Sequence, residues 1–350
     1  MKICIQMLSK NSDRSLTGKG KFFKRLRAEF EKMGIEVTYD PKKKVDIDIC
    51  INKPLWWPKN AKRKVIRLGP VEADSNRKDL KECWHIAKKY IKQSHGIIYQ
   101  SEFSMKANHA FLGHPKCAET IILHGAPDRS NSEVAPCPNC IGNGVKGPWD
   151  YKHYYHRNFL LSTREWVFEK RLEEGIKSFL LADIPNSHLW IAGQVWDKPK
   201  RFPREQKSFR KKYRQDNIHF LGQMDDWQTS LLYKYCDAML FLSYIDSCPN
   251  SVVEAITHGL PVISNCCGGQ FEILSARSLR DTQCATIRSE EMWNFKVMNR
   301  RKQPKAHRKG YALHMRAIAE NPQRIKPEAV RHVHIETIAK QYKAFFEELL

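Results

Sequence analysis

The chain has 350 residues, 41% hydrophobic and 28% charged, a globular balance with length enough for two cores rather than one. Its 60 Lys and Arg against 38 Asp and Glu leave a formal net charge of +22, which implies an anionic partner: phosphorylated substrates, an acidic lipid surface or nucleic acid. No apolar run approaches the roughly 18 residues that a membrane-spanning helix needs.

The first residues read as a strand over 3–7, too short and too soon polar for a signal peptide. A helix follows over 20–33, with Phe22, Phe23, Leu26 and Phe30 along one face. Strands are predicted over 35–38, 45–51 and 64–68, a helix over 80–91 and a strand over 96–99. Ser101 or Ser104 caps the next helix, whose apolar positions run to Phe111, and a strand follows over 118–123. Helices between short hydrophobic strands are what a parallel sheet requires, so this half reads as doubly wound.

Residues 124–155 are rich in Pro, Gly, Asn and Ser and carry neither a helical nor a strand period. So long a loop marks a domain boundary within or just after it. The alternation then resumes with a strand over 158–161, a helix over 172–181 and strands over 189–192 and 218–221. A helix over 227–235 and a strand over 238–242 lead to a short helix over 251–258 that Gly259 stops. Strands over 261–264 and 284–287 complete this half. The expected domains are 1–155, including the loop 124–155, and 156–330. A final helix in 331–350, with Ile335, Ile338, Ala339, Tyr342, Phe345, Phe346 and Leu349 on its apolar face, is expected to pack back on the first. Two successive doubly wound units imply a cleft between them, where ligands of open α/β sheets bind.

The densest chemistry lies in Asp246-Ser247-Cys248-Pro249-Asn250-Ser251-Val252-Val253-Glu254. An acidic group stands on a turn and another one turn into a helix, before a buried strand. Asn250 or Ser251 as cap would leave backbone amides pointing into the cleft. The plain alternative is a turn Asp and a surface helix Glu. Lys170 and Arg171 sit at a helix start, where cations are poorly placed unless they serve something.

This segment resembles the paired-acid motif of family 4 retaining glycosyltransferases, which have the GT-B fold: two Rossmann-like, doubly wound parallel-sheet domains facing a central cleft. The first acid, commonly Glu in that family, is Asp246 here. The resemblance implies that Glu254 holds the ribose hydroxyls of a nucleotide and that Asp246 contacts the hydroxyls of the transferred sugar. Leu161-Ser162-Thr163-Arg164 and Glu169-Lys170-Arg171-Leu172 are similar to the segment that supplies an Arg and a Lys to the donor diphosphate; Arg164 and Lys170 fit, with Arg171 a close competitor. Fixed guanidinium and ammonium donors hold phosphate oxygens and stabilise the leaving diphosphate as charge accumulates on it.

Asn217-Ile218-His219-Phe220-Leu221-Gly222 resembles the strand and turn near the nucleotide base. Gly268-Gly269, followed by Gln270 and Glu272, resembles the turn that closes over sugar and diphosphate through backbone amides. Gly18 and Lys19, in Leu16-Thr17-Gly18-Lys19-Gly20, resemble the loop that lies against donor phosphate and acceptor. Residues 97–104 look like a strand-to-helix junction of the family. Residues 121–128 resemble a segment usually reading Ile-x-Asn-Gly-Val-Asp, with His124 where Asn is usual. After the strand at 65–68 the family often has a polar residue; Gly69 stands there, so Arg67 or Asp74 would have to substitute. The resemblance covers most of 158–287 and is patchy before 130.

The activity it implies is that of a retaining hexosyltransferase. It would move a sugar from a UDP- or GDP-linked donor to the hydroxyl of a glycan, a lipid-linked acceptor or a small molecule. The implied mechanism is front-face displacement without a metal or any cofactor beyond the nucleotide sugar. The implied catalytic residues are Asp246, Arg164, Lys170 and Glu254, and the implied donor-binding set adds Gly18, Lys19, Gly222, Asn250, Ser251, Gly268 and Gly269.

Outside that core, Cys137-Pro138-Asn139-Cys140 with His153 and His156 has the ligand count of a structural zinc clip, against plain loop thiols. Trp56 and Trp57 read equally as a stacking surface for an acceptor sugar or as packing. His219 and His258 read as structural. The competing functions are a basic nucleic-acid or polyanion-binding protein and a nucleotide-sugar epimerase or phosphorylase; nucleic acid is not the expected partner. Eleven cysteines without a secreted disulfide pattern suggest the cytoplasm, with an anionic membrane surface as a peripheral station.

Overall fold

The computed structural model describes residues 1–6, 18–52, 59–69, 80–130, 147–150, 156–165, 170–194, 211–222, 224–244, 246–287 and 305–350. Trp56, Trp57, Asp74, Cys137, Cys140 and His153 lie outside them.

In the first half β1 (Lys2–Ile5), β2 (Glu36–Thr38), β3 (Val45–Ile51), β4 (Ala61–Leu68), β5 (Gly96–Tyr99) and β6 (Ala118–Ile121) form one sheet in the order β2-β1-β3-β4-β5-β6. Its helices are α1 (Gly18–Lys32), α2 (Leu80–Gln93) and α3 (Glu102–Leu112). In the second half β7 (Arg157–Glu165), β8 (Ser187–Gln194), β9 (Ile218–Gly222), β10 (Ala238–Phe241), β11 (Val262–Asn265) and β12 (Ala285–Ile287) run in the order β12-β11-β10-β7-β8-β9. Every strand pair in both sheets is parallel. Counted from its own first strand, the second sheet has the Rossmann order, reversing direction between β7 and β10; the first has the flavodoxin-like order, reversing at β1 and β3. Ligands of such sheets bind beyond the strand C-termini at the reversal.

Successive residues of a strand face opposite sides. In β7, Phe159 and Leu161 join one core while Leu160 joins the other; in β10, Ala238 and Leu240 split from Met239 and Phe241 in the same way. The first core includes α4 (Leu172–Ala182) and the second includes α5 (Asp226–Tyr235), α6 (Asn250–Thr257) and α7 (Gln270–Leu274). With both faces covered, each strand reads as an apolar run, and this is what made the alternation visible.

Strands β7 and β8 are longer than their apolar centres suggest, because polar residues continue the ladder at both ends. An unforeseen helix, α8 (Arg308–Glu320), packs Tyr311, Ala312, Met315 and Ile318 on the second sheet, and Arg308 grips Glu174 of α4 at 2.6 and 2.8 Å. Strand β6 ends at Ile121, two residues before the expected end.

The last helix, α9 (Ile335–Leu349), lies in the core of the first sheet, where Ile338, Tyr342 and Phe346 meet Phe22 and Phe30 of α1. The chain is tied there by the Ala126 amide, which donates to Val333 O at 3.1 Å, and the Ile335 amide, which donates to Ala126 O at 3.0 Å.

Candidate functional site

The reversal between β7 and β10 sets the centre of the second half's cleft face. Lys170 follows β7; Ser243 and Asp246 follow β10. Lys170 Nζ lies 3.1 Å from Asp246 Oδ2 and 3.2 Å from Ser243 Oγ. The sequence places them 76 residues apart, and the topology makes them an ion pair. Arg171 goes elsewhere. It takes a left-handed backbone, φ 52°, is buried, and lies 5.0 Å over the ring of Tyr244. Burial pushes its guanidinium pKa down.

A glycine turn covers Asp246. The Gly269 amide donates to Asp246 O at 2.8 Å. A Cβ on Gly268, where φ is +93°, would meet Asp246 O at 2.5 Å, and one on Gly269 would meet Ser247 O at 1.8 Å. Only glycine allows this approach. Gln270 Nε2 then donates to Ser243 O at 3.0 Å and Asn265 Oδ1 at 2.8 Å, locking the turn to the ends of β10 and β11.

At α6 the structure corrects the capping prediction. Pro249 is the N-cap and no side chain caps the helix, so Asn250 and Ser251 are first-turn residues. The Val252 and Val253 amides donate to Pro249 O at 3.1 and 3.2 Å; those of Asn250 and Ser251 have no intrahelical acceptor and suit an incoming anion or hydroxyl. Asn250 Oδ1 and the Ser247 hydroxyl are enclosed without a well-formed hydrogen bond.

One turn further, Glu254 is held by the first half. Arg25 Nη2 of α1 lies 2.6 Å from Glu254 Oε1, whose side chain is 13% exposed. Lys21, one turn before Arg25, pairs with Asp226 of α5. Glu272 turns to the first half, accepting the amides of Glu102 and Phe103 at 2.6 and 2.8 Å. These are the free amides at the start of α3, where a carboxylate is favoured. Burial raises the Glu272 pKa and those two amides lower it. Ser101 caps α3, accepting from the Ser104 amide at 3.0 Å, while the Ser104 hydroxyl donates to Gly69 O at 3.0 Å.

The first half's floor is a stack. The Arg67 guanidinium lies 4.6 Å over Phe22, and Phe22 stacks on His124 at 4.7 Å. Arg67 is 1% exposed; its Nε donates to the Tyr342 hydroxyl at 2.6 Å, and its Nη2 has no hydrogen-bond partner. Burial, then the Arg67 charge, push the His124 pKa well below its ordinary value; an Asn250 contact opposes them. The His124 amide donates to Cys248 Sγ at 3.2 Å, and burial pushes that thiol up to about 12.

Asp246 therefore meets Lys170 through its carboxylate and the Gly268-Gly269 turn through its backbone, with Asn250, Ser251 and Glu254 running away along α6. Gly222, φ +79°, ends β9 with open space on its Cβ side. Arg164 lies near the end of β7, and Gly18 and Lys19 open α1, but these three side chains are outside the described residues. His219 stacks on Trp190 at 3.9 Å, and His258 bonds Glu254 O at 2.7 Å. His156 bonds His188 at 2.8 Å. Among the described residues no group of three His, Cys, Asp or Glu is placed to hold a metal, and no helix is long and apolar enough to cross a membrane.

Sequence reasoning missed Arg25 and Lys21. The available signal was their spacing of four beside the apolar face of α1, which puts both charges on one flank.

Residues 148–282 match the family model described as glycosyl transferases group 1. The chain is 29% identical over 172 residues to the lipopolysaccharide glucosyltransferase WaaG of Escherichia coli K12, an alignment covering 47% of this chain and 40% of that one. It thus spans less than half the length of this curated relative. Among solved structures, sucrose-phosphate synthase from Thermosynechococcus elongatus superposes with a TM-score of 0.70 at 13% identity, covering 100% of this chain and 99% of that one. Anabaena Alr3699/HepE in complex with UDP gives 0.64 at 13% identity, with 99% of both chains covered. The architecture is GT-B: two parallel, Rossmann-like domains with flanking helices and a central cleft.

Proposed function

We propose that the protein is a retaining glycosyltransferase that moves a hexosyl group from a nucleoside-diphosphate sugar to an acceptor hydroxyl. The observation that carries this reading is the contact of Lys170, Asp246 and the Gly268-Gly269 turn beside the uncapped first turn of α6. The match of 148–282 to group 1 glycosyl transferases covers all of it.

Lys170, with Arg164, neutralises the diphosphate, and the amides of Asn250 and Ser251 face its oxygens or the sugar's hydroxyls. Asp246 accepts sugar hydroxyls while remaining paired to Lys170. Glu254 exchanges Arg25 for the ribose diol, two hydroxyl donors that suit a carboxylate acceptor. The open side of Gly222 admits the base. A uridine nucleotide is favoured because HepE is described with UDP bound.

In the chemical step the bond from the anomeric carbon to the diphosphate oxygen breaks. The acceptor oxygen bonds to the same face of that carbon, and its proton passes to the departing diphosphate. Lys170 and Arg164 carry the charge that accumulates, so no metal is required. The test is to incubate the full chain with UDP- and GDP-sugars and a panel of hydroxyl acceptors, with and without EDTA, following diphosphate release and the product anomer by NMR. Release indifferent to EDTA with a retained anomer is expected; inversion or dependence on a metal contradicts the mechanism.

A further inference from the structure

A cavity of about 360 Å³, with charged side chains on both walls, lies at the seam between the halves. Its first-half wall is Lys21, Lys24 and Arg25 of α1 with Arg129 beyond β6; its second-half wall is α5 and α6, carrying Asp226 and Glu254. Both carboxylates are already engaged, Asp226 by Lys21 and Glu254 by Arg25. Lys24 makes no ion pair among the described residues, and the walls set four cations, Lys21, Lys24, Arg25 and Arg129, against two carboxylates. Arg25 has spent one nitrogen on Glu254, while Nη1 is enclosed with no acceptor. The cavity therefore holds more positive than negative charge and a guanidinium donor with nothing to donate to. A trapped water would satisfy the donor. It would leave the charge.

We propose that this cavity binds the phosphomonoester of a small organic molecule of sugar-phosphate size, gripped by Arg25, Arg129 and Lys24. Guanidinium forks match phosphate oxygens in pairs, and a flexible ammonium adds a movable charge. The volume stands at the small end of the range for small-molecule sites, more than a lone phosphate fills. The site is separate from the diphosphate elements. It runs along α6 from Glu254 to His258, and His258 stands eight residues from Asn250, about 12 Å along the helix at 1.5 Å per residue. It shares Glu254 and that residue's partner Arg25 with the donor reading, while Lys24 and Arg129 belong to it alone. Because its walls come from both halves, the ligand would hold the cleft closed.

The experiment is calorimetric titration of the full chain, without nucleotide and at constant ionic strength, with glucose 6-phosphate, inorganic phosphate and glucose. Wild type is expected to bind glucose 6-phosphate more tightly than inorganic phosphate and not to bind glucose. Lys24→Gln with Arg129→Gln should weaken glucose 6-phosphate by about tenfold or more, and Lys170→Ala should not. Lys24→Glu, at an exposed position of α1, supplies a variant whose folding is not at risk and should weaken it too. Loss in Lys170→Ala with retention in the seam variants would assign the phosphate to the diphosphate elements and overturn the proposal. So would equal binding by all variants, or no binding by wild type.

Discussion

The second half centres its part of the cleft on a tightly packed backbone turn, whereas α1 of the first half reaches across with long side chains. Asp246, Ser247, Gly268 and Gly269 touch through carbonyls and amides at distances that exclude even one methyl group, and Gln270 pins them to two strand ends. Facing them, Arg25 and Lys21 reach from one flank of α1, and α3 offers its first amides to Glu272. Backbone geometry cannot adjust, whereas a Lys or Arg has several rotatable bonds. The second half is therefore the rigid template and the first half the adaptable clamp.

The sharpest way to break that contrast is a single methyl. Gly269→Ala puts a Cβ 1.8 Å from Ser247 O, a backbone atom that cannot swing aside. The overpacking cost is expected at the upper end of about 1–3 kcal/mol, with nucleotide binding lost, read by urea unfolding and calorimetry. A variant with wild-type stability and binding would mean that the second half is no template.

Next in size is the first half's floor. Tyr342→Phe removes the acceptor of the Arg67 Nε proton from a fully buried site and should cost about 1–3 kcal/mol in urea unfolding. Because Arg67 stacks on Phe22 and Phe22 on His124, the loss should also reach the cleft. Unchanged stability would show that the stack does not depend on α9.

Acid should act more gently and on both halves. Burial holds His124, His188, His258 and His332 below the ordinary histidine value. From about pH 6.5 down to their lowered values the unfolded chain binds more protons, so stability is full above that range and falls as pH falls through it. Asp237 and Glu272, raised by burial, act with the opposite sign from the carboxylate range upward. The melting temperature should drop between pH 7.5 and 5.5, and His124→Asn should lessen the drop. A flat profile would contradict the burial of these rings.

What sequence made legible follows the same division. Short apolar runs revealed the strands of both sheets, because covered faces leave no alternation to misread. The α8 helix escaped because its buried positions, Tyr311, Ala312, Met315 and Ile318, are interspersed with basic residues and the exposed Leu313. At the site, Asp246 and Glu254 stood out because they share one local segment. Arg25 did not, since its partner Glu254 lies 229 positions away and only the meeting of the two halves joins them. The cap was misassigned because Asn and Ser are better N-caps than Pro by propensity, whereas Pro249 takes the cap position here and leaves Asn250 and Ser251 inside the first turn.

The most direct test of the donor-site assignment is thermal stabilisation of the full chain by UDP, GDP and ADP, on wild type, Glu254→Ala and Lys170→Ala, with and without EDTA. The expected result is a shift with one nucleotide, unaffected by EDTA and lost in both variants. No shift with any nucleotide, or one that survives in both variants, would contradict the placement of a nucleoside diphosphate between Lys170 and Glu254.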